Sequence, residues 1–294
     1  MRRVVLQAFC AVFISSIAIG PGAAQQLPAV SGLNGKIEFN AGLLNVPAPT
    51  FVGRAAGAVT VPVGDSFGLQ ADFTAASAPG LTLGGALHIF TRDPSSHLIG
   101  GTFGVMRTPG AIIFAAGPEA EFYFDNVSIE AWGGLSYAKP TVGADRLLPF
   151  VMADVAYYPE PNWRLSLGLS SLDGYNAVHA GTEYLIDGFD LPVSLTADAR
   201  LGQDGAILAT IGLRAYIGGQ NKSLLRRHRE DDPADRGASL YNAAGGLTIR
   251  PKQSAGSDPE PGGGPVTCKN TMEYVYIAEL GYCVSILDST TPEP

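Results

Sequence analysis

The feature that most constrains this chain is alternation with period two, repeated for nearly two hundred residues. From Trp163 the sequence reads W-R-L-S-L-G-L-S. In an extended strand this puts Trp163, Leu165, Leu167 and Leu169 on one face and Arg164, Ser166, Gly168 and Ser170 on the other. Val193, Leu195, Ala197, Ala199 and Leu201 alternate in the same way with Ser194, Thr196, Asp198 and Arg200. So do Ile207 to Ile217 and Val127 to Tyr137. Applied throughout, the template gives twelve strands, near 36–43, 55–63, 67–75, 81–92, 98–107, 111–124, 127–138, 149–158, 163–172, 177–186, 191–201 and 206–217. Ten or fourteen are the alternative counts. The cuts fall on turn chemistry: Gly64-Asp65-Ser66, Asp93-Pro94-Ser95-Ser96, Asp125-Asn126, Glu160-Pro161-Asn162, Asp187-Gly188 and Gln203-Asp204-Gly205. Connections this short force antiparallel neighbours.

A long antiparallel meander can bury its apolar face inward, as a soluble sandwich or barrel, or turn it outward to lipid. Composition favours the second. Only 16% of residues are charged, against ~25% in an ordinary soluble domain. Residues 25–218 contain just two lysines, Lys36 and Lys139, where a solvated sheet would carry many. The segments run near ten residues, the length a tilted strand needs to cross a bilayer, whereas soluble strands average ~5–6. If the first strand starts in the periplasm, the connections after even-numbered strands are short inner turns, and the two longest, 44–54 and 139–148, lie on the outer side. Outward aromatics gather beside the inner turns: Phe67, Phe124, Tyr157, Trp163 and Tyr184 read as one girdle at the lipid–water boundary. Phe73 and Tyr137 are the best members of a second.

The N-terminus supplies a compartment. Arg2 and Arg3 precede an apolar stretch, Val4 to Ile19, and the small residues Gly22-Ala23-Ala24, so 1–24 reads as a secretory signal peptide. Its removal makes the net charge two units more negative than −8, which excludes a nucleic-acid footprint. Cys10 leaves with it. Cys268 and Cys283 remain, and in an oxidising compartment they point to a disulfide, with two free thiols as the alternative. No histidine stands near them to complete a zinc set.

Together these features resemble a bacterial outer-membrane β-barrel of the porin-like family. The resemblance covers residues 30–218 and rests on pattern. It implies an all-β, closed antiparallel up-and-down transmembrane barrel in the Gram-negative outer membrane, with both termini periplasmic. Outer-membrane lipids and the barrel-assembly machinery are the implied partners, and no cofactor is expected. The corresponding organisation is a signal peptide (1–24), a periplasmic segment (25–35), the barrel (36–218), a flexible charged and Gly/Pro-rich linker (219–265) and a small C-terminal element (266–294).

The polar face would line the lumen. Its charged members are Lys36, Glu38, Asp72, His88, Arg92, Glu119, Glu121, Glu130, Asp154, Arg164, His179, Glu183, Asp198, Arg200 and Arg214. They admit two readings: a passive channel for small polar solutes or ions, favouring cations, or an ion-pair network that fills the lumen of a structural barrel whose tail or loops bind a partner. A secreted soluble β-barrel or sandwich that binds a ligand is a third. An enzyme is not expected: His179 with Ser170 or Ser171 and Glu183 is the sole constellation worth noting, and no G-x-S-x-G or H-E-x-x-H segment accompanies it. In the tail, Lys222 and Arg226 to Arg229 are followed at once by Glu230, Asp231, Asp232 and Asp235. Such a run reads as a solvated linker, with docking to an acidic periplasmic partner or to lipid head groups as the sharper alternative.

Overall fold

The computed structural model describes residues 27–244, except 46, 47, 78, 79, 187 and 220, together with 274–277 and 282–285. The alternating segments form twelve strands: β1 (Asn34–Leu44), β2 (Thr50–Val63), β3 (Phe67–Ala76), β4 (Thr82–Asp93), β5 (His97–Arg107), β6 (Ala111–Phe124), β7 (Val127–Pro140), β8 (Arg146–Glu160), β9 (Trp163–Leu172), β10 (Tyr175–Ile186), β11 (Val193–Gly202) and β12 (Ile207–Ile217). Each pairs with its neighbour in sequence, and β1 pairs with β12 to close the barrel. The closing register sets Lys36 opposite Tyr216 and Glu38 opposite Arg214. Closure leaves no unpaired strand edge, the condition for a sheet to cross hydrocarbon.

Burial alternates along every strand with apolar residues outward. Leu167 is 68% exposed, Ile211 67% and Phe51 66%, while Glu119 is 2% exposed and His88 is inaccessible. This is the inverse of a soluble barrel. Leaving so many leucines, isoleucines and phenylalanines against water is unfavourable by ~25 cal/mol per Å² of apolar surface, so the wall belongs in lipid and the fold is a transmembrane barrel. The five aromatics assigned to the first girdle all face outward near the rim where β1 begins and β12 ends, hereafter the terminal rim. Phe73 and Tyr137 face outward toward the far rim.

Two expectations need correction. The connections at the far rim are not long: β2 starts at Thr50 and β8 at Arg146, so the segments expected as outer loops at 44–54 and 139–148 shrink to 45–49 and 141–145. Small residues such as Gly53, Ala55 and Ala56 blur the alternation there and hide the true starts. The second correction concerns the linker. Residues 219–244 of the expected flexible segment fold as two helices, α1 (Leu224–Glu230) and α2 (Arg236–Ala244), packed on the inner wall. The remainder of that linker, the signal peptide and Cys268 lie outside the described residues. Residues 250–294 form a separate unit, in which β13 (Tyr274–Ile277) and β14 (Tyr282–Ser285) pair antiparallel with Tyr276 opposite Cys283.

Candidate functional site: the lumen

All fifteen charged residues assigned to the polar face lie on the inner wall, buried or partly so. Their order along the barrel axis matters as much as their direction. Inward positions toward the far rim include an apolar cluster, Ala76, Met106, Ile113, Ala138, Phe150 and Leu172, with Arg200 and Asp173 among the buried exceptions. The middle and terminal portions carry most of the charges. Arg54 bonds Glu38 at 3.0 Å, and Arg214 bonds both Glu38 and Glu183 at 2.5 Å. Arg164 reaches Glu130 at 3.1 Å, and His179 bonds Asp154 at 2.6 Å. His179 therefore takes Asp154 as its carboxylate, while Glu183 is held by Arg214 and the Tyr216 hydroxyl. Neither member of the pair on the β10 face serves the other.

Into this lined tube the chain inserts its own continuation. After β12, Gly218 and Gly219 adopt positive φ of 82° and 55°, a reversal open to glycine without strain. Ser223 caps α1 by accepting from the Arg226 amide. The helix crosses the terminal rim. The Leu225 amide donates to the Pro161 carbonyl at 2.9 Å, and Arg229 donates to the Val127 carbonyl at 2.9 Å. His228 sits between the Tyr158 and Tyr216 hydroxyls, at 2.8 and 3.0 Å. The expected solvated run is thus used inside the protein. Arg227 is buried and donates to the Gly218 carbonyl, and Asp231 is held by Lys222 at 2.7 Å and by the Ser31 hydroxyl. At the rim surface, burial disfavours the Glu230 carboxylate, but hydrogen bonds from Arg226 and Lys222 outweigh it and hold this carboxyl below its ordinary range.

From Asp231 the chain turns into the lumen. Lys36 donates to the Pro233 carbonyl at 2.6 Å, and the Ala234 amide donates to Glu121 at 3.3 Å. The first amides of α2, those of Arg236 and Gly237, donate to the Asp72 carboxylate at 2.7 and 3.2 Å. A wall residue therefore satisfies free donors of the helix start, where an anion is also favoured by the helix dipole. Arg236 bonds Glu119 at 2.9 Å, and His88 bridges Asp72 and Glu119 at 2.7 and 3.0 Å. This four-residue cluster is sealed, with no side chain more than 2% exposed. Beyond it, Leu240, Tyr241, Ala243 and Ala244 join the apolar far cluster around Trp132 and Phe150. Glycines ease the fit: a β-carbon on Gly104 would stand 3.2 Å from Leu240, and one on Gly237 3.2 Å from the Asp72 β-carbon. Arg200 closes the far end by donating to the Ala243 carbonyl at 3.2 Å.

α2 lies against β3, β4 and β5, so the remaining space is on the opposite side. A cavity of about 160 Å³ separates it from β8 to β10, lined by Glu130, Asp154, Arg164 and His179 among others, and a second of about 80 Å³ adjoins Glu38, Asp198 and Arg214. Cavities of this size have room for a few water molecules.

No protein-family model matches this sequence, and no curated protein matches it either. Solved structures similar in fold include the KdgM porin in complex with disordered oligogalacturonate (10% identity, 61% of this chain and 98% of that one, TM-score 0.44). An outer membrane channel from Pseudomonas putida F1 aligns at 12% identity over 68% of this chain and 99% of its own, TM-score 0.44. Omp33 from Acinetobacter baumannii aligns at 13% identity over 63% and 97%, TM-score 0.37. At this level of likeness, the wall and lumen of this chain have to carry its function.

Proposed function

We propose that this protein is a bacterial outer-membrane β-barrel held closed by its own C-terminal segment, so that small polar solutes or ions pass only when residues 219–244 are displaced. The observation that carries this reading is the sealed cluster joining Arg236 of α2 to Glu119, His88 and Asp72 of the wall. An inserted helix held only by apolar contacts could slide. One whose arginine bonds Glu119 and whose first amides bond Asp72 is held toward this register, since sliding would break those buried charge-assisted bonds. The signal peptide read at 1–24 and the apolar outer wall support the outer membrane as the compartment. Of the two lumen readings raised by the sequence, the filled lumen describes the resting state, and conduction becomes conditional.

Planar-bilayer recording tests this. The full chain should be silent or open only in rare events, while a chain ended at residue 218 should conduct steadily with a preference for cations. Steady conductance from the full chain would overturn the proposal.

A further inference from the structure

The outer wall is apolar almost throughout, and its two basic exceptions fall together. Among the described residues of the twelve strands, Arg107 at the end of β5 and Lys139 near the end of β7 are the lysine and arginine that stand exposed at outward positions. The others face the interior or, as Arg146 does, bond Asp173 at the rim. Arg107 pairs with Ile112 of β6 and Ile112 with Lys139, so the two cations flank one isoleucine in a single row at the far rim. Two strand spacings of ~4.8 Å set their α-carbons ~10 Å apart, within reach of two long side chains converging on one group over Ile112. Neither has an ion-pair partner among the described residues. The Asp145 carboxylate, in the β7–β8 connection, accepts from the Tyr137 hydroxyl.

The same strands continue the feature toward the membrane interior. Phe103, Phe114 and Tyr137 turn their rings outward in a row, with successive centroids 6.3 Å apart and planes inclined by 28°. Below Phe103 the wall is indented. Leu69, Leu87, Ile89, Gly101 and Phe103 line an apolar groove of about 440 Å³, and a β-carbon on Gly101 would meet nothing within 4 Å. The six steps from Gly101 to Arg107 span ~20 Å at ~3.3 Å each. On a strand tilted by ~40° they descend ~15 Å, half of a ~30 Å hydrocarbon core.

We infer that this strip of the outer wall binds a lipid whose headgroup carries an anionic phosphate. The phosphate is held between Arg107 and Lys139, and an acyl chain runs down past Phe103 into the groove at Gly101. Guanidinium and ammonium groups give charge-assisted bonds to phosphate oxygens, and the arginine can form two in parallel. Cations at strand ends also cost little, since charge on the lipid face is penalised mainly at mid-depth. An apolar groove beneath a phosphate clamp fits a lipid and offers a free anion nothing. The inference rests on the outer wall alone and is independent of whether the lumen is closed.

Native mass spectrometry of the full chain in non-ionic detergent tests it, with phosphatidylglycerol, phosphatidylcholine and inorganic phosphate as probes and heat-modifiable migration confirming that each variant is folded. The parent should retain phosphatidylglycerol in preference to phosphatidylcholine. R107Q combined with K139Q should weaken phosphatidylglycerol binding about twenty-fivefold, which is ~1 kcal/mol for each basic residue. R146Q, which removes a cation of the same rim already held by Asp173, should leave binding unchanged. G101L keeps both cations and fills the groove, and it should weaken binding of the same lipid. Undiminished binding in R107Q/K139Q or in G101L would overturn the site, as would equal retention of the two lipids by the parent. Displacement of bound lipid by inorganic phosphate, where chloride of equal ionic strength leaves it in place, would mark a free-anion site and overturn the lipid assignment.

Discussion

Substituting Arg236→Ala removes one side chain and leaves the barrel wall untouched. The guanidinium lies 2.9 Å from Glu119 and 3.9 Å from Glu121, with 2% of the side chain exposed. Without it, both carboxylates face α2 with no cation on that helix. Breaking a buried pair from one side costs ~3–5 kcal/mol, because the surviving charge stays desolvated. Here the lower end applies, since Glu119 keeps its contact with His88 and Asp72 keeps the amides of residues 236 and 237. The loss falls on the plugged state alone: once the segment leaves, water reaches Glu119 whether or not an arginine departs with it. At 1.4 kcal/mol per tenfold, ~3 kcal/mol raises the ratio of unplugged to plugged barrel about a hundredfold. Planar-bilayer recording of the full-length variant should therefore show open time increased by about two orders of magnitude. Heat-modifiable gel migration should remain that of a folded barrel. A variant that migrates as folded and stays as silent as the parent would refute the role assigned to this cluster. Pairing R236M with E119Q should recover part of the closure, as the orphaned charge is then gone.

Other outcomes follow from the same geometry. Leu240→Ala opens a cavity against Trp132 and should destabilise the plugged state by ~2–5 kcal/mol, raising open time, whereas Leu167→Ala on the outer wall should leave it unchanged. Leu167→Arg puts a cation mid-strand on the lipid face and should cost ~2–4 kcal/mol, read as a lower folded fraction in heat-modifiability assays against vesicle-reconstituted parent. Glu230 has a lowered pKa, so the stabilisation it draws from Arg226 and Lys222 is complete above the ordinary value of 4.5 and lost as pH falls below it. Carboxyl NMR titration of the folded chain should place the Glu230 midpoint below 4.5, and R226Q should move it back upward. In the R236A background, Glu130→Gln with Asp154→Asn should reduce cation preference in reversal-potential measurements; unchanged selectivity would show that these carboxylates do not line the path.

The wall was legible because each strand carries its own evidence. Trp163, Leu165, Leu167 and Leu169 alternate with Arg164, Ser166, Gly168 and Ser170 within one segment, so the two faces separate without knowledge of any partner. Arg54 escaped because β2 begins five residues before its clean alternation does, and a strand residue looked like loop. The plug escaped for a different reason. Arg226 to Asp235 look self-neutralising because opposite charges sit close in sequence, yet only Arg226 and Lys222 pair with acids of that run through side-chain bridges; Arg229 turns to Val127 and Ser128, and Arg236, just beyond the run, to Glu119. Local charge balance and partner matching across the lumen produce the same letters. What distinguishes them is an imbalance elsewhere: the polar face read from the strands had eight carboxylates and five firm cations. Charges facing a closed interior must be compensated from within it. The surplus therefore signals partners not yet found: Arg54 on the wall itself, bonded to Glu38, and Arg236 of α2, bonded to Glu119, are two of them, while the same segment brings Asp231 and Asp232 into the interior and needs partners of its own.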